Sequence, residues 1–173
     1  SFEKQAYQNR AYISGANKVQ RLTVPLKQGK TRQAFRDIKI DYQDNWPRKL
    51  WTAIASAYGK TPYFPYYASK VEQLLKSRQR FLVDLNQGSL ALLASGLKMD
   101  LKYQWLSETS SAELAEQHDA RGFIHPRRPC QEDEQFEPVP YAQAFLERFG
   151  FLPNLSGLDL LLNEGPQGRA ILK

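Results

Sequence analysis

The stretch Phe149-Gly-Phe-Leu-Pro-Asn-Leu-Ser-Gly-Leu-Asp-Leu-Leu-Leu-Asn-Glu-Gly-Pro166 contains a helix start signal, an apolar body and a stop signal. Ser156 predicts the N-cap of a helix, and Asp159, three residues later, predicts a capping box. Gly165 offers the left-handed conformation that ends many helices, and Pro166 cannot continue the helix. Because leucines at 158 and 160–162 cover most of its circumference, we expect this helix to be buried on nearly all sides.

Polar side chains lie on or beside this apolar helix, where burial makes them costly. A buried polar group without a partner costs about 1–3 kcal/mol. One interpretation is that Ser156 and Asp159 cap the helix while Asn163 and Glu164 satisfy its last turn. The other is that polar side chains of this stretch line a functional cleft, namely Asn154, Asn163 and Glu164. The sequence leaves both interpretations open.

Composition limits the class of protein. With 173 residues, 42% of them apolar, the chain suits a single domain over residues 1–173 with a hydrophobic core. A lone cysteine and two histidines exclude a disulfide framework and a dense Cys/His metal cluster, so no metal site is predicted. No run reaches the roughly eighteen apolar residues of a membrane span, and no signal peptide opens the chain. We therefore expect a cytoplasmic protein, and the opening without Met suggests that some N-terminal sequence is missing.

The positive charge is concentrated in the first third of the chain. Residues 1–50 hold eleven Lys/Arg against four Asp/Glu, whereas the rest of the chain is nearly balanced. A basic segment of this kind suits an anionic ligand such as a phosphate, a nucleotide or a nucleic acid. The cations are scattered singly, however, as in Lys27, Lys30, Arg32 and Arg36 around Gly29, which favours a solvated loop. Nucleic-acid binding is therefore the less favoured interpretation.

The pattern of apolar residues predicts an α/β or α+β fold with a single core. Residues 1–45 are β-rich, with a hairpin formed by Ala6–Ser14 and Arg21–Leu26 and a third strand at Asp37–Asp41. Residues 46–106 predict three helices followed by one further strand from Leu97 to Trp105. Residues 107–137 predict a polar loop, and residues 138–173 predict C-terminal helices, the first from Pro138 to Phe149. The fold thus consists of short N-terminal strands followed by a helical body.

The polar loop contains a candidate catalytic residue, His125, within Phe123-Ile-His-Pro-Arg-Arg-Pro-Cys130. A loop histidine beside arginines can act as a general base or contact an anion, or it can simply hydrogen-bond a backbone carbonyl. His118 lies in an acidic run and is expected to be solvated, and Cys130 is a poor nucleophile candidate. The chain carries no P-loop, G-x-G-x-x-G, G-x-S-x-G, H-E-x-x-H or Cys-x-x-Cys motif.

Several short motifs nevertheless occur in a recognisable order. They are Gln8-Asn-Arg10, Leu22-Thr-Val-Pro25, Ile38-Lys-Ile-Asp41, Trp46-Pro-Arg-Lys-Leu-Trp51, Ala57-Tyr58, Thr61-Pro-Tyr-Phe64, Asp84-Leu-Asn86 and Phe151 to Gly165. In this order the chain resembles the WbqC-like protein family over nearly its whole length, in a compact form with a shortened middle. The last motif is the most specific one. The His-Gln-Pro-x-Tyr-x-Pro-like opening of family members has no match here.

The resemblance implies a role in surface-polysaccharide or O-antigen biosynthesis. We expect a transferase-type enzyme acting on a nucleotide- or lipid-linked sugar, with a non-catalytic glycan- or protein-binding module as the alternative. No particular cofactor and no oligomeric state are indicated. The proton-transfer group would be His125 or Asp159. Phosphate or carboxylate contacts would come from Asn9, Arg10 and Arg48, and further substrate contacts from Asn154, Asn163 and Glu164.

Overall fold

The computed structural model describes residues 7–27, 34–103 and 137–172. It begins with an antiparallel hairpin of β1 (Arg10–Gly15) and β2 (Lys18–Thr23), in which Arg10 lies opposite Thr23 and Gly15 opposite Lys18. Strands followed by a helical body confirm the predicted fold class.

The predicted third strand is present only as single bridges. A 3₁₀ helix covers Phe35–Asp37, and the chain then forms one bridge between Leu26 and Ile40 and another between Lys39 and Phe81. The two-residue period nevertheless identified the buried side chains of this segment, because Ile38 and Ile40 are both buried.

Three helices form the body of the described chain, as predicted: α1 (Trp46–Tyr58), α2 (Phe64–Lys76) and α3 (Leu82–Gly96). Both α1 and α2 have a proline in the first turn, where its missing N–H costs no helical hydrogen bond.

The strand predicted after α3 is wrong for residues 97–103, which form no strand. Lys98 has a φ of 52°, and the Met99 N–H donates to the Ala94 carbonyl at 2.8 Å. These features belong to a helix C-terminus, where a left-handed residue redirects the chain. Alternation of apolar and polar residues cannot make a strand without a neighbouring strand to pair with.

The helix predicted from Pro138 is wrong before Leu146, because only α4 (Leu146–Phe149) is helical. The Gln143 side chain forms two hydrogen bonds with the backbone of Leu152: it accepts from the N–H at 2.8 Å and donates to the carbonyl at 2.9 Å. This pairing holds the segment before α4 against the segment that leads into α5.

The terminal apolar stretch forms α5 (Gly157–Glu164), which continues into a second 3₁₀ helix at Gly165–Ala170. Ser156 caps α5 by accepting from the Leu158 N–H at 3.3 Å, and Gly165 has a φ of 61°, as predicted. The predicted capping box is wrong. The Ser156 N–H donates to the Tyr12 carbonyl at 2.7 Å, and the Asp159 side chain has other partners, described below.

The core lies around α5, whose Leu161 and Leu162 are fully buried. The buried apolar side chains form three groups, one with Ile54, one with Trp46 and one with Leu161. Leu50 and Leu75 pack against the first two groups. Tyr67 and Leu92 pack against the first and the third. Within the described ranges, no helix has the length and apolar character needed to cross a membrane.

Candidate functional site: the Asn9–Arg10 cavity

A cavity of about 350 Å³ lies between the hairpin, the three helices of the body and the start of α5; we call it the Asn9–Arg10 cavity. Its walls are mainly apolar. They include Leu50, Ile54, Val71, Leu85, Leu93 and Leu158. A size of this order and apolar walls with a few polar groups are typical of small-molecule sites.

Polar side chains from three parts of the chain line the same cavity. Asn86 and Ser89 come from α3, Ser156 precedes α5, and Asn9 and Arg10 come from the start of the hairpin. Asn86 donates from Nδ2 to the Gln8 carbonyl at 2.9 Å, and Ser89 donates from Oγ to the Leu85 carbonyl at 2.8 Å.

Two of these polar groups carry a buried atom that has no partner among the described residues. Asn9 donates from Nδ2 to the Val24 carbonyl at 3.0 Å, which fixes its amide, but its Oδ1 accepts no hydrogen bond within the described residues. The Arg10 Nε is likewise buried and unpaired there. Because most buried polar groups in folded proteins are paired, an unpaired acceptor and an unpaired donor on consecutive residues need an explanation.

The hairpin itself places these two residues. The Val24 N–H donates to the Asn9 carbonyl at 3.0 Å, so the ladder between β1 and β2 extends one step beyond the strands. Asn9 is thereby held opposite Val24, and Arg10 opposite Thr23. The positions of both side chains are therefore set by backbone pairing.

Arg48 does not join Arg10. It lies on α1 in an open groove of about 750 Å³ between the helix and the hairpin turn, together with Gln20 and Lys49, and this groove shares no lining residue with the Asn9–Arg10 cavity. Leu50 and Ile54 of the same helix line the Asn9–Arg10 cavity, so the two sites lie on different faces of α1.

Asp159 is fully buried and holds a hydroxyl network. Its Oδ1 accepts from the Tyr58 hydroxyl at 2.6 Å, and its Oδ2 accepts from the Tyr141 hydroxyl at 2.7 Å and from Gln143 Nε2 at 3.4 Å. The Tyr58 oxygen in turn accepts from the Ser14 N–H at 3.0 Å. The network thus ties α5 to β1, to the end of α1 and to the segment before α4.

Burial raises the pKa of Asp159, and the hydrogen bonds from Tyr58, Tyr141 and Gln143 oppose this rise. Burial, followed by the neighbouring Asp159 carboxylate, also raises the pKa of Tyr58 and of Tyr141. Both tyrosines therefore remain neutral donors to the carboxylate near pH 7.

The other polar side chains of the terminal stretch contact the rest of the protein. Asn163 donates from Nδ2 to the Asp159 carbonyl at 2.7 Å, and Glu164 Oε1 accepts from the Ala142 N–H at 3.1 Å. Asn154 donates from Nδ2 to the Tyr7 hydroxyl at 3.0 Å. None of these three residues lines the Asn9–Arg10 cavity, but Tyr7 does, so Asn154 is linked to the cavity through its hydrogen bond with that tyrosine.

The predicted catalytic residue His125 lies outside the described residues, as do His118 and Cys130. A role for His125 therefore stays a prediction. Among the described residues, no three His, Cys, Asp or Glu side chains are grouped to hold a metal ion.

Sequence reasoning missed Tyr58 and Tyr141 as partners of Asp159, and Asn86 and Ser89 as residues that line the cavity. The tyrosines had no local signal, because Asp159 lies 101 residues from Tyr58 and 18 residues from Tyr141 in the chain. Asn86 and Ser89 had a local signal, since they are polar residues three apart among the leucines of α3.

Comparison with known proteins bears on the identity of the chain. Neither the curated proteins nor the solved structures gave a match. The sequence model of the WbqC-like protein family matches residues 1–125, which include the hairpin, α1, α2 and α3. Asn9, Arg10 and Asn86 therefore lie inside the match, whereas Asp159 lies beyond it. Because the match covers more than half of the sequence, the chain belongs to the WbqC-like protein family.

Proposed function

We propose that this protein is a transferase-type enzyme of surface-polysaccharide or O-antigen biosynthesis that binds a nucleotide- or lipid-linked sugar at the Asn9–Arg10 cavity. Membership of the WbqC-like family supports the proposed role in polysaccharide biosynthesis. The cavity supports a small-molecule ligand.

One observation carries this proposal: Asn9 Oδ1 and Arg10 Nε are buried without partners among the described residues, and both residues line the same apolar cavity. Leaving such atoms unpaired costs about 1–3 kcal/mol each. A ligand that offers an acceptor to Arg10 and a donor to Asn9 removes both costs. Sugar hydroxyls provide both groups, and a phosphate or carboxylate oxygen suits the arginine. The leucine-rich walls suit the lipid part of a lipid-linked sugar.

Proton transfer is assigned to His125 or Asp159 within this proposal. Since the Asp159 carboxylate is fully buried, a proton would reach it through one of its tyrosine hydroxyls, and Tyr141 is the less buried of the two. Neither tyrosine is among the described residues that line the cavity. In this proposal Asn154 acts indirectly, by holding the hydroxyl of Tyr7, which lines the cavity. Asn163 and Glu164 act by holding α5 rather than by touching the ligand. Arg48 is not needed for binding at this cavity.

A second candidate function is a non-catalytic glycan-binding module. It is favoured by the chemistry of the walls, because Tyr7 and Arg10 are the only titratable residues among the described residues that line the cavity. General acid–base catalysis is most often carried out by His, Glu, Asp or Lys side chains, and none of these lines the cavity among the described residues. The distinction between the two candidates thus rests on whether bound sugar is turned over.

Thermal-shift screening of the protein against nucleotide sugars and lipid-linked sugar analogues tests binding. A ligand at about 100 times its Kd stabilises the native state by about 2.7 kcal/mol. We expect Arg10→Gln and Asn9→Ala to lose the shift, whereas Arg21→Gln, an exposed arginine of β2 in the same hairpin, keeps it. If Arg10→Gln shifts as much as the wild type, the assigned site is wrong. Product formation with an added donor then separates the enzyme from the binding module.

A further inference from the structure

A second, strongly basic site lies away from the Asn9–Arg10 cavity. A groove of about 480 Å³ is lined by four cationic side chains, Lys27, Lys39, Arg78 and Arg80, and we call it the basic groove. Among the residues that the structure describes, it shares none with the lining of the Asn9–Arg10 cavity. The inference that follows does not rest on the proposed function.

Three extended segments build the basic groove. Leu26 bridges Ile40 in antiparallel fashion, and the Lys27 N–H donates to the Lys39 carbonyl at 2.9 Å, so Lys27 stands directly opposite Lys39. The Ile40 N–H donates to the Arg80 carbonyl at 3.1 Å, which brings the third segment alongside. Backbone pairing therefore brings Lys27, Lys39 and Arg80 to the same groove.

This arrangement costs free energy when the groove is empty. Like charges directly opposite each other on paired strands destabilise the pair. All four cations are exposed, and within the described residues the ion pairs are Lys49–Asp44 and Lys76–Glu72, neither of which involves the groove.

One carboxylate, that of Asp41, also lines the groove, and its Oδ1 accepts from the Gln43 N–H at 3.0 Å. Four cations against one carboxylate leave the described lining with an excess of positive charge.

Arg78 is held in place by its backbone and by an aromatic ring. Its φ of 50° is that of a left-handed residue just after the end of α2, which turns the chain toward the segment that carries Arg80. Its guanidinium lies 5.8 Å from the centroid of the Tyr42 ring. The Tyr42 hydroxyl donates to the Gln79 carbonyl at 2.9 Å, which fixes the ring beneath it. A guanidinium that rests on a ring keeps its N–H donors at its edge, where they can reach a ligand.

We propose that the basic groove binds a ligand with two or more linked phosphoryl groups, either inorganic pyrophosphate or the diphosphate of a nucleotide. Four cations and one carboxylate give the described lining more positive charge than a single phosphate neutralises, so the groove suits a diphosphate. Two arginines offer planar forks that match phosphate oxygens, and two lysines offer compact charges. The groove volume lies within the range of small-molecule sites.

Isothermal titration calorimetry tests the proposal with pyrophosphate, orthophosphate and a nucleoside diphosphate at about 50 mM and about 300 mM NaCl. We expect the diphosphates to bind at least about tenfold more tightly than orthophosphate, and more weakly at the higher salt. Lys39→Gln combined with Arg80→Gln should weaken diphosphate binding at least about tenfold. The matched control, Lys60→Gln combined with Lys70→Gln, removes the same charge from exposed residues elsewhere and should bind as the wild type does.

Melting temperatures of both double variants show whether they fold. Removing Lys39 relieves a like-charge pair, so the groove variant should melt no lower than the control variant. The proposal is overturned by equal affinity for orthophosphate and diphosphate, by equal loss in both double variants, or by no measurable binding. A single-stranded oligonucleotide that binds far more tightly than either diphosphate would assign the groove to nucleic acid instead.

Discussion

Replacing Tyr58 with phenylalanine tests the buried network that joins the two ends of the chain. The substitution removes one oxygen atom and keeps the ring, so the packing of the core is nearly unchanged. It removes the donor to Asp159 Oδ1 at 2.6 Å and the acceptor of the Ser14 N–H at 3.0 Å. Tyr58, Asp159 and Ser14 are all fully buried, so water cannot easily replace the lost partner.

The expected loss is largest when the acceptor is charged. A hydrogen bond to a charged group contributes about 1.5–3 kcal/mol, and a neutral one about 1 kcal/mol. We therefore expect Tyr58→Phe to lower the free energy of unfolding by about 2–4 kcal/mol at neutral pH.

The size of this loss should depend on pH. Burial raises the pKa of Asp159, and the hydrogen bond from Tyr58 opposes that rise. A carboxyl with a pKa higher in the folded than in the unfolded state stabilises the fold below the unfolded pKa, and this contribution is lost as pH rises through the folded pKa. Tyr58→Phe raises the folded pKa further. Its cost is therefore largest when Asp159 is ionised and shrinks as acidification protonates Asp159.

Urea denaturation of the wild type and Tyr58→Phe, at a pH of about 7 and of about 4, measures both effects, provided that the m-value is unchanged. Tyr66→Phe is the matched control, because Tyr66 is a 73% exposed tyrosine on α2. We expect it to stay within about 0.5 kcal/mol of the wild type. A loss below about 1 kcal/mol for Tyr58→Phe, or a loss that grows on acidification, would refute the reasoning.

Three further predictions concern α5 and the loops at its ends. Leu161→Ala should cost about 2–5 kcal/mol in urea denaturation, because the side chain is fully buried. Gly165→Ala should cost at least about 2 kcal/mol more than Gly150→Ala: both glycines have positive φ, but an added Cβ at 165 meets the Tyr63 ring at 2.3 Å, whereas at 150 it meets no atom within 4 Å. Equal costs would contradict this account. Asp159→Asn should remove the part of the pH dependence of stability assigned to the carboxyl, and an unchanged pH profile would assign it to another group.

Local signals in the sequence predicted most of the regular structure. The spacing of Leu50, Trp51 and Ile54 predicted α1, and Ser156 and Gly165 marked the two ends of α5 correctly. These signals are reliable because capping, helical periodicity and left-handed turns depend on residues a few positions apart.

The same reasoning failed where a segment needs a distant partner. Residues 97–103 alternate as a strand does, but no strand lies beside them in the described chain. The segment before α4 has helical periodicity, yet Gln143 pairs with Leu152 instead. In both cases the competing interaction is invisible in a short window of sequence.

The sequence by itself determined the hairpin, the three helices of the body and the buried terminal helix, because each depends on interactions within one element. Only the tertiary structure decided which polar groups meet. Tyr58 and Asp159 are 101 residues apart in the chain, Arg10 and Arg48 line different cavities, and the basic groove joins three separate segments. The physical reason is that hydrogen bonding of buried groups and gathering of charge depend on how packed elements approach one another, which no local pattern encodes.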